Sequence, residues 1–405
     1  MVASWAYHYK RKDWKRFAPF DYKGGFNEPY VLFKAKHITN LDTRVEKWRT
    51  ATRPIAPGTK HPMRRLLRLA GRAWYFMVKH YQGEHFAIQK TQDVPREMWQ
   101  MHSALSRCLE SGDTIQCEVK DIKGCYPNMP KTAIKTALRD IAEELGKQYS
   151  GVFVPRRGRK QPCLWKIRGG GQQERRCRAH AWMPFTDLLD IAMFSLDHAV
   201  IQRDGVLVKQ ISGIPMGDPL SPAMTIGTCC WMERKWMAGV TDEEKMYFRA
   251  KRYMDDILYM YVRSEKWDYR SLMDKFIASE CYWPPLELED GAQHTFLETR
   301  FTIEEYSNRL RMELKNDNEH SMKIWRYQDY QSYGRFQQKK AVMQAAMRKV
   351  YDMASDDGRL MRSAQAKLRE FAYAGYPAGL RKYVCVGLGH STGNETWFIL
   401  SKLQR

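Results

Sequence analysis

Apolar residues recur at helical spacing over several stretches of the chain. Between residues 63 and 78 they fall on one face and arginines occupy much of the other, which predicts an amphipathic helix with a basic face. A second helix is predicted to open at Pro130, and a third is predicted over residues 183–202. Residues 331–405 are predicted to be mainly helical, with one helix ending at the cap-like sequence Gly375-Tyr376-Pro377.

Strand patterns lie between these helices. Residues 114–121, TIQCEVKD, alternate apolar and polar positions as a half-buried strand does. Asp204-Gly205 predicts a tight hairpin turn. Residues 248–262, FRAKRYMDDILYMYV, predict two apolar strands joined at a short acidic turn. Together the patterns predict an α+β centre with helical additions at both ends.

Length and composition narrow the class of protein. The 405 residues suit two or three subdomains, and 43% apolar with 28% charged residues exclude a disordered or collagen-like chain. The sequence shows no bilayer-spanning apolar run, and charges from Lys10 onward come before an apolar signal region could form, so we expect an intracellular protein with no membrane partner. Nine cysteines without a C-x-x-C pair predict neither a disulfide framework nor a ribbon-type zinc site. Cys163, Cys177 and His180 form a loose zinc candidate that lacks a well-spaced fourth ligand.

The charge of the chain changes sign along its length. The net charge is +21, yet residues 183–330 carry −7, between basic segments that include +8 over residues 151–182. Carboxylates that hold cations, flanked by Lys and Arg that neutralise phosphates, are what a metal-dependent enzyme acting on a polyanion needs. A basic protein without such a role would have a similar isoelectric point, so that alternative stays open. The alternation of sign favours a nucleic-acid partner.

The strongest candidate for chemistry is the acidic turn YMDD at residues 253–256, which contains Asp255 and Asp256. Adjacent carboxylates repel each other, and divalent cations relieve that repulsion. Asp121 ends the earlier strand and offers a third carboxylate, five residues before Tyr126. Three carboxylates can hold two Mg²⁺ ions about 3.5–4 Å apart for an in-line displacement at phosphorus. Taken singly, a solvated turn and a capping carboxylate are the simpler interpretations.

Two further segments accompany these carboxylates in the sequence. The loop GIPMGDPLSP, residues 213–222, lies between them, and its glycines permit close approach of the backbone to a ligand while its prolines stiffen the approach to the following helix. Upstream, Arg53 lies in R-P-I, after YVLFKAK at residues 30–36 and a run of cations that includes Lys47. Cations on a hairpin opposite the metals would complete a cage for a triphosphate. An exposed basic hairpin is the alternative.

Candidate nucleic-acid contacts occur on the first predicted helix and in residues 155–182. The latter segment holds Gly-Gly-Gly, two prolines and nine cations, a composition typical of a mobile loop, and its Trp165 would stack on a base. A solvated loop without a defined contact is the alternative. The candidate residues are Arg64, Arg68, Arg156, Arg157, Arg159, Lys160 and Trp165.

The order of these motifs resembles the right-hand polymerase core of reverse transcriptases over residues 30–380. The order is a basic hairpin with RPI, then D-x4-Y, GxPxGxPxSP, YMDD and finally FLE at residues 296–298. Within that class the sequence most resembles the Penelope-like retroelement enzymes, on YVLxKxK before RPI, MGDPLSP, FLE before a charged hairpin, and REFAYAGYP near the C-terminus. The resemblance implies an N-terminal extension and fingers over residues 1–110, and an antiparallel palm over 111–315 with a basic fingers-type insertion at 151–182. It implies a helical thumb over 316–405.

The resemblance also implies roles for the acidic residues. Asp121, Asp255 and Asp256 are implied to be the catalytic, metal-binding carboxylates, and the carbonyl of Ile122 is implied as an added ligand. The implied cofactor is Mg²⁺ as two ions, with Mn²⁺ as the alternative metal.

Further roles are implied around the nucleotide. By the resemblance, Arg53 and Lys47 contact the incoming triphosphate, Tyr126 lies beneath the sugar, and Met216 and Gly217 line the nucleotide and template side. Retroviral-type enzymes carry Gln where Met216 stands. The stretch PPLELEDGAQHTFLE contains no Lys to protonate pyrophosphate, so the proton donor is unassigned.

The resemblance implies that the protein is an RNA-directed DNA polymerase and that a retroelement encodes it. Its implied partners are an RNA template, a DNA or RNA primer and dNTPs, and a eukaryotic retroelement would place the protein in the nucleus. One alternative is an RNA-dependent RNA polymerase on the same palm, against which Tyr126 argues because its ring would clash with a ribose hydroxyl. The other is a domesticated, inactive nucleic-acid-binding protein, against which the three intact carboxylates argue.

Overall fold

The structure is a computed structural model, which describes residues 1–33, 52–55, 57–157, 161–166, 179–278, 280–318 and 326–404. Four candidate residues, Lys47, Arg159, Lys160 and Cys177, lie outside the described residues. The chain divides into two compact units. Unit 1 comprises Met1–Ala87, Ile122–Gly239 and Lys275–Glu287, and unit 2 comprises Ile88–Asp121, Val240–Asp274 and Leu288–Arg405.

The described residues contain both helices and strands, and four helices follow one another from Phe336 onward. The helices are α1 (Val2–Arg11), α2 (Arg64–Lys79), α3 (Val94–Ser106), α4 (Cys125–Asn128), α5 (Lys131–Gly146), α6 (Phe185–Asp197), α7 (Ser221–Met237), α8 (Asp242–Tyr247), α9 (Tyr269–Ile277), α10 (Phe336–Met353), α11 (Asp357–Tyr373), α12 (Ala378–Thr392) and α13 (Thr396–Lys402). The strands are β1 (Tyr30–Phe33), β2 (Thr52–Ile55), β3 (Thr114–Ile122), β4 (Tyr149–Pro155), β5 (Cys163–Lys166), β6 (His180–Pro184), β7 (Val200–Arg203), β8 (Val206–Lys209), β9 (Phe248–Tyr253), β10 (Asp256–Arg263), β11 (Leu288–Asp290), β12 (Thr295–Phe296), β13 (Thr299–Ile303) and β14 (Leu310–Leu314).

Unit 1 combines a helical core with small antiparallel sheets. β1 pairs with β2, β4 lies between β5 and β6, and β7 pairs with β8. α2 and α5 both pack against α6 and α7. The apolar face of α2 is buried, while Arg64, Arg65 and Arg68 are exposed. The basic amphipathic helix predicted after Pro62 is therefore confirmed, because burying its apolar face leaves the arginines on the outside.

Unit 2 is built on a four-stranded sheet with strand order β11-β3-β10-β9. α3 packs against β9 and β10, so that Val94, Met98 and Leu105 share a buried apolar cluster with Leu258 and Met260 of β10. A second sheet, β12-β13-β14, contributes to the same cluster. The helices α10 to α13 bury a separate apolar cluster that includes the end of β14. The helical C-terminal region is thus confirmed.

Most of the predicted elements are present at their predicted places. The strand of residues 114–121 is β3, the helix after Pro130 is α5, and Asp204-Gly205 joins β7 to β8. The helix predicted over residues 183–202 is wrong at its C-terminal end, because α6 ends at Asp197 and residues 200–203 form β7. The β-branched Val200 and Ile201 pair there with β8, so hairpin pairing overrides the helical period. The α+β class with antiparallel sheets is confirmed.

The helices of the described residues are short or polar relative to a bilayer. None of them carries an apolar stretch long enough to span a membrane.

Candidate active site

Asp121 and Asp256 lie opposite each other on neighbouring strands of unit 2. They are register partners in the antiparallel pairing of β3 with β10, and both are partly exposed. Side chains directly opposite in such a pair stand on the same face, with Cβ atoms about 4.5–5.5 Å apart. The structure therefore brings together two of the three predicted carboxylates, which are far apart in the sequence.

Asp255 occupies the turn that joins β9 to β10. Tyr253 and Asp256 are register partners, so Met254 and Asp255 are the two central residues of the hairpin loop. Met254 has a φ of 59°, whereas Asp255 does not have a positive φ. This is the pattern of a type II′ turn, whose first central residue is usually Gly. A non-glycine residue in this region costs on the order of 1–3 kcal/mol, and such strain is concentrated at functional sites.

A buried arginine supports this turn. Arg252 is 0% exposed, and its guanidinium donates a hydrogen bond to the Met254 carbonyl at 2.8 Å. Its own carbonyl accepts a hydrogen bond from the Ile88 N–H at 2.7 Å. A buried guanidinium needs partners for its donors, and the Met254 carbonyl is one of them. Sequence analysis missed Arg252, although a charged residue inside an apolar strand was a signal for it.

The donors of this acidic site fit Mg²⁺. Asp121, Asp255 and Asp256 offer carboxylate oxygens at the end of one strand pairing, and hard oxygen donors are the ligands that Mg²⁺ prefers. Like charges directly opposite each other destabilise a strand pair, and a divalent cation removes that cost. Ile122, whose carbonyl is the further candidate ligand, is the buried last residue of β3.

In unit 1 the loop of residues 213–222, here called the Gly-Pro loop, lies against Tyr126. The Ile214 N–H donates a hydrogen bond to the Tyr126 carbonyl at 2.7 Å. Gly213 has a φ of 68°, and a Cβ atom there would lie 2.5 Å from the Tyr126 carbonyl oxygen and 2.4 Å from that of Pro127. Glycine alone meets both requirements. The D-x4-Y and GxPxGxPxSP motifs are therefore in direct backbone contact.

Polar side chains fix the shape of the Gly-Pro loop. The Asp218 carboxylate accepts hydrogen bonds from the Leu220 N–H at 2.7 Å and from the Ser195 hydroxyl at 3.0 Å. Burial raises the pKa of Asp218 above its ordinary value. The Ser221 hydroxyl donates to the Pro215 carbonyl at 2.5 Å. Sequence analysis missed Asp218 and Ser195; an Asp shortly before a helix is a known capping signal, whereas Ser195 carries no local signal.

The loop also crosses helix α2 closely. A Cβ atom on Gly71 would lie 2.4 Å from the Pro219 carbonyl oxygen, so the loop approaches the helix at a position without a side chain. The two candidate nucleotide-lining residues lie just before this crossing. Met216 is partly buried and Gly217, with a φ of 118°, is exposed. Their contact with a nucleotide stays a prediction.

Arg53 lies on β2, opposite Leu32 of β1. The predicted hairpin with R-P-I is therefore present as a backbone pairing, while the Arg53 side chain lies outside the described part of the structure. Its contact with a triphosphate stays a prediction, as does that of Lys47.

The candidate nucleic-acid residues of unit 1 differ in what they contact. Arg64 and Arg68 are exposed on α2, and Arg157 is exposed after β4. The Arg156 guanidinium instead donates hydrogen bonds to the carbonyls of Arg16 and Phe17. Arg156 thus connects the end of β4 to the N-terminal segment, and its donors are partly occupied by backbone.

Trp165 lies on β5 within the small sheet of unit 1. Its ring meets that of Phe153 edge to face, with centroids 5.0 Å apart. The side chain is partly exposed. Packing against Phe153 buries part of the Trp165 side chain. Stacking of this ring on a base stays a prediction.

Comparisons with known proteins bear on the fold. No protein-family model and no curated protein matches the chain. The chain is similar to telomerase from Candida albicans in complex with the TWJ fragment of telomeric RNA, at 12% identity and a TM-score of 0.50, over 88% of this chain and 56% of that chain. Telomerase from Candida tropicalis with the same kind of RNA fragment aligns at 13% identity and a TM-score of 0.47, over 90% and 56% of the two chains. A structure described as an RdRp complex aligns at 13% identity and a TM-score of 0.41, over 88% and 26%.

The present chain thus spans just over half the length of the telomerase chains. At this identity the likeness to the Candida albicans telomerase concerns the fold alone. The described residues share that fold, and only the site itself bears on the activity.

Proposed function

We propose that this protein is a nucleic-acid polymerase, and specifically an RNA-directed DNA polymerase that extends a primer 3′-hydroxyl with dNTPs. The observation that carries the proposal is the register pairing of Asp256 with Asp121, beside Asp255 in a strained turn. Three carboxylates at one point are costly for folding alone, and they match the ligand set that metal-assisted phosphoryl transfer requires. The fold shared with a telomerase supports the same class of reaction.

The acidic residues would act as metal ligands. Asp121, Asp255 and Asp256 would hold two Mg²⁺ ions, which supply charge stabilisation at the attacking 3′-oxygen and the leaving pyrophosphate. The contribution of the chain is to fix the carboxylates before substrate arrives. The pairing of β3 with β10 sets Asp121 against Asp256, and the Arg252 hydrogen bond holds the turn. Preorganised charges need no rearrangement as the transition state forms.

The residues of unit 1 receive their roles from the sequence resemblance. Tyr126 would pack against the sugar and so disfavour a ribose hydroxyl, and Met216 with Gly217 would line the nucleotide pocket. Arg53 and Lys47 would neutralise the triphosphate. The contact between the Gly-Pro loop and Tyr126 supports a shared role for the two motifs.

The finer assignments belong to the same proposal. We assign an N-terminal extension and fingers to residues 1–110, the palm with a basic fingers-type insertion at about 151–182 to residues 111–315, and a helical thumb to residues 316–405. We assign the chain to a Penelope-like retroelement. An RNA template, a DNA or RNA primer and a nuclear location in a eukaryotic host follow from that assignment.

A primer-extension assay tests the proposal. The wild-type chain, with Mg²⁺ and a primed RNA template, is expected to incorporate dNTPs in preference to rNTPs. Asp255→Asn keeps the volume and removes a ligand charge, so we expect at least about a 10²-fold loss of extension. Asp290→Asn is the matched control, since Asp290 lies on β11 of the same sheet with an exposed side chain. Extension with rNTPs alone would favour an RNA polymerase, and nucleic-acid binding without extension would favour the inactive binding protein.

A further inference from the structure

A second cluster of metal-binding side-chain types lies in unit 1, apart in the sequence from the acidic turn. One ligand atom each from His85, Cys230 and Glu233 lies within 4.8 Å of the others. Cys230 and Glu233 are each 0% exposed, while His85 is partly exposed. Two ligands of one Zn²⁺ ion are at most about 4.6 Å apart, so the three side chains already stand close to the span of a single coordination sphere.

The local structure explains why these three residues meet. Cys230 and Glu233 are three residues apart on α7, a spacing that places both side chains on one face of the helix. His85 lies in the segment that follows α2, and this segment is held to α7 through its neighbour. The Phe86 N–H donates a hydrogen bond to Glu233 Oε2 at 2.9 Å.

The Glu233 carboxylate is oriented by a second donor. The Tyr282 hydroxyl donates to Glu233 Oε1 at 2.9 Å. The ring of Phe86, the residue after His85, packs with those of Trp236 and Phe276 at centroid distances from 5.4 to 6.3 Å. Hydrogen bonds that aim a ligand and an apolar surround that restricts water are the usual outer shell of a metal site.

We propose that His85, Cys230 and Glu233 bind one Zn²⁺ ion, with water as the fourth ligand on the partly exposed His85 side. A thiolate, an imidazole and a carboxylate form a donor set of intermediate softness, which suits Zn²⁺ and not Mg²⁺. A divalent cation also repays the cost of burying the Glu233 carboxylate. Binding requires the Cys230 thiol to lose its proton, so affinity rises with pH.

The ion would have a structural role. It would join the segment after the basic helix α2 to helix α7, which begins in the Gly-Pro loop. Because Zn²⁺ binds the folded arrangement and not the separated ligands, bound metal stabilises the folded chain. The site and the polymerase proposal use different residues, so each stands or fails without the other.

The test is metal binding by the full chain, with Zn²⁺ and Co²⁺ as probes. After treatment with a chelator and gel filtration, the wild-type chain is expected to take up about one Zn²⁺ per molecule. Co²⁺ is expected to give a thiolate-to-metal charge-transfer band, and excess Mg²⁺ is expected to leave that band unchanged. Zn²⁺ should raise the melting temperature of the wild-type chain.

Matched variants separate this site from general thiol chemistry. Cys230→Ser should lose the charge-transfer band and the Zn²⁺-dependent rise in melting temperature, while Cys229→Ser, at the neighbouring buried thiol, should keep both. Tyr282→Phe removes one orienting hydrogen bond and should weaken Zn²⁺ binding about 10-fold, which keeps the test valid if Cys230→Ser does not fold. Absence of stoichiometric Zn²⁺ and of the Co²⁺ band in the wild-type chain would overturn the proposal. Equal loss in the two cysteine variants would do so as well, and would leave a hydrogen-bonded cluster without metal.

Discussion

Asp256 stands directly opposite Asp121 where β10 pairs with β3, so two carboxylates share one face of the unit 2 sheet. Natural strand pairs avoid like charges at this position because they destabilise the pairing. The same arrangement is favourable when a divalent cation lies between the carboxylates. Stability without metal and response to metal are therefore linked at this pair.

Neutralising one partner should reveal that link. We expect Asp256→Asn to raise the metal-free stability by about 0.5 kcal/mol, because it removes the repulsion with Asp121. The same variant should lose the stabilisation that Mg²⁺ gives the wild-type chain. Thermal unfolding with and without Mg²⁺ measures both effects. Asp290→Asn serves as the control, and a metal-free stability that falls in Asp256→Asn while Asp290→Asn is neutral would contradict this account.

Gly213 and Gly205 form a natural pair for testing the contact between the Gly-Pro loop and Tyr126. Both glycines have positive φ, but a Cβ atom at Gly205 meets nothing within 4 Å, while at Gly213 it meets two carbonyl oxygens. Gly205→Ala should therefore cost about 1–2 kcal/mol from backbone strain alone. Gly213→Ala should cost a further amount of about 1–3 kcal/mol from overpacking, and it should reduce extension. Denaturant unfolding compares them, and equal losses would show that the contact adds nothing.

Sugar selection should depend on the ring of Tyr126. If the ring packs against C2′ of the incoming sugar, Tyr126→Val should admit rNTPs and lower dNTP efficiency. The hydrogen bond from Ile214 goes to the Tyr126 carbonyl, so the substitution leaves the loop contact in place. A misplacement of about 1 Å can cost about 10²-fold in rate, so we expect a change of that order in the dNTP to rNTP ratio of kcat/KM. Tyr126→Phe keeps the ring and should keep the selection; a Val variant that gains nothing with rNTPs would make Tyr126 a packing residue.

The exposed arginines of α2 should contribute to nucleic-acid binding through charge. Replacing Arg64, Arg65 and Arg68 with Gln should weaken duplex binding without changing base preference, because phosphate contacts release counterions and read no sequence. Each lost contact should reduce the slope of log K against log salt by about 0.9.

A control variant with three substitutions elsewhere distinguishes an effect of the α2 face from an effect of net charge. Lys10, Arg11 and Lys15 are exposed in unit 1 and carry the same total charge. Their replacement with Gln should leave the salt slope nearly unchanged. If both triply substituted variants reduce the salt slope equally, the reduction comes from net charge and not from α2.

His61 should make the stability of unit 1 depend on pH. Burial against Trp5 and Phe26 lowers the pKa of His61 to about 4, and its Nδ1 accepts a hydrogen bond from the Met63 N–H at 3.1 Å. The unfolded histidine has a pKa near 6.5, so between these values the unfolded chain binds a proton that the folded chain does not. Stability should therefore fall by about 3 kcal/mol as pH falls through that window.

Denaturant unfolding across the same pH range measures the effect. His61→Gln should flatten the dependence, whereas His294→Gln, at an exposed position in unit 2, should preserve it. An unchanged pH dependence in His61→Gln would assign it to other groups.

Local patterns in the sequence were sufficient for much of the fold. The period of apolar residues defined α2 and α5, because helices bury one face, and alternation defined β3 for the same reason in a strand. The acidic turn could be predicted because two apolar strands flank it in the sequence. The end of α6 was missed because residues 200–203 pair with β8, a contact that helical period does not encode.

Some features of the candidate site could be predicted from the sequence, and others depend on the tertiary structure. The order of the motifs by itself predicted that Asp121, Asp255 and Asp256 act as a set, because that order resembles a polymerase core. Only the register of β3 against β10 decided that Asp121 faces Asp256, because register depends on how whole strands bury their side chains. The burial of Arg252 under the turn and the meeting of His85 with Cys230 and Glu233 were decided in the same way. Such contacts join residues distant in the chain, and the packing of entire elements, not any local pattern, brings them together.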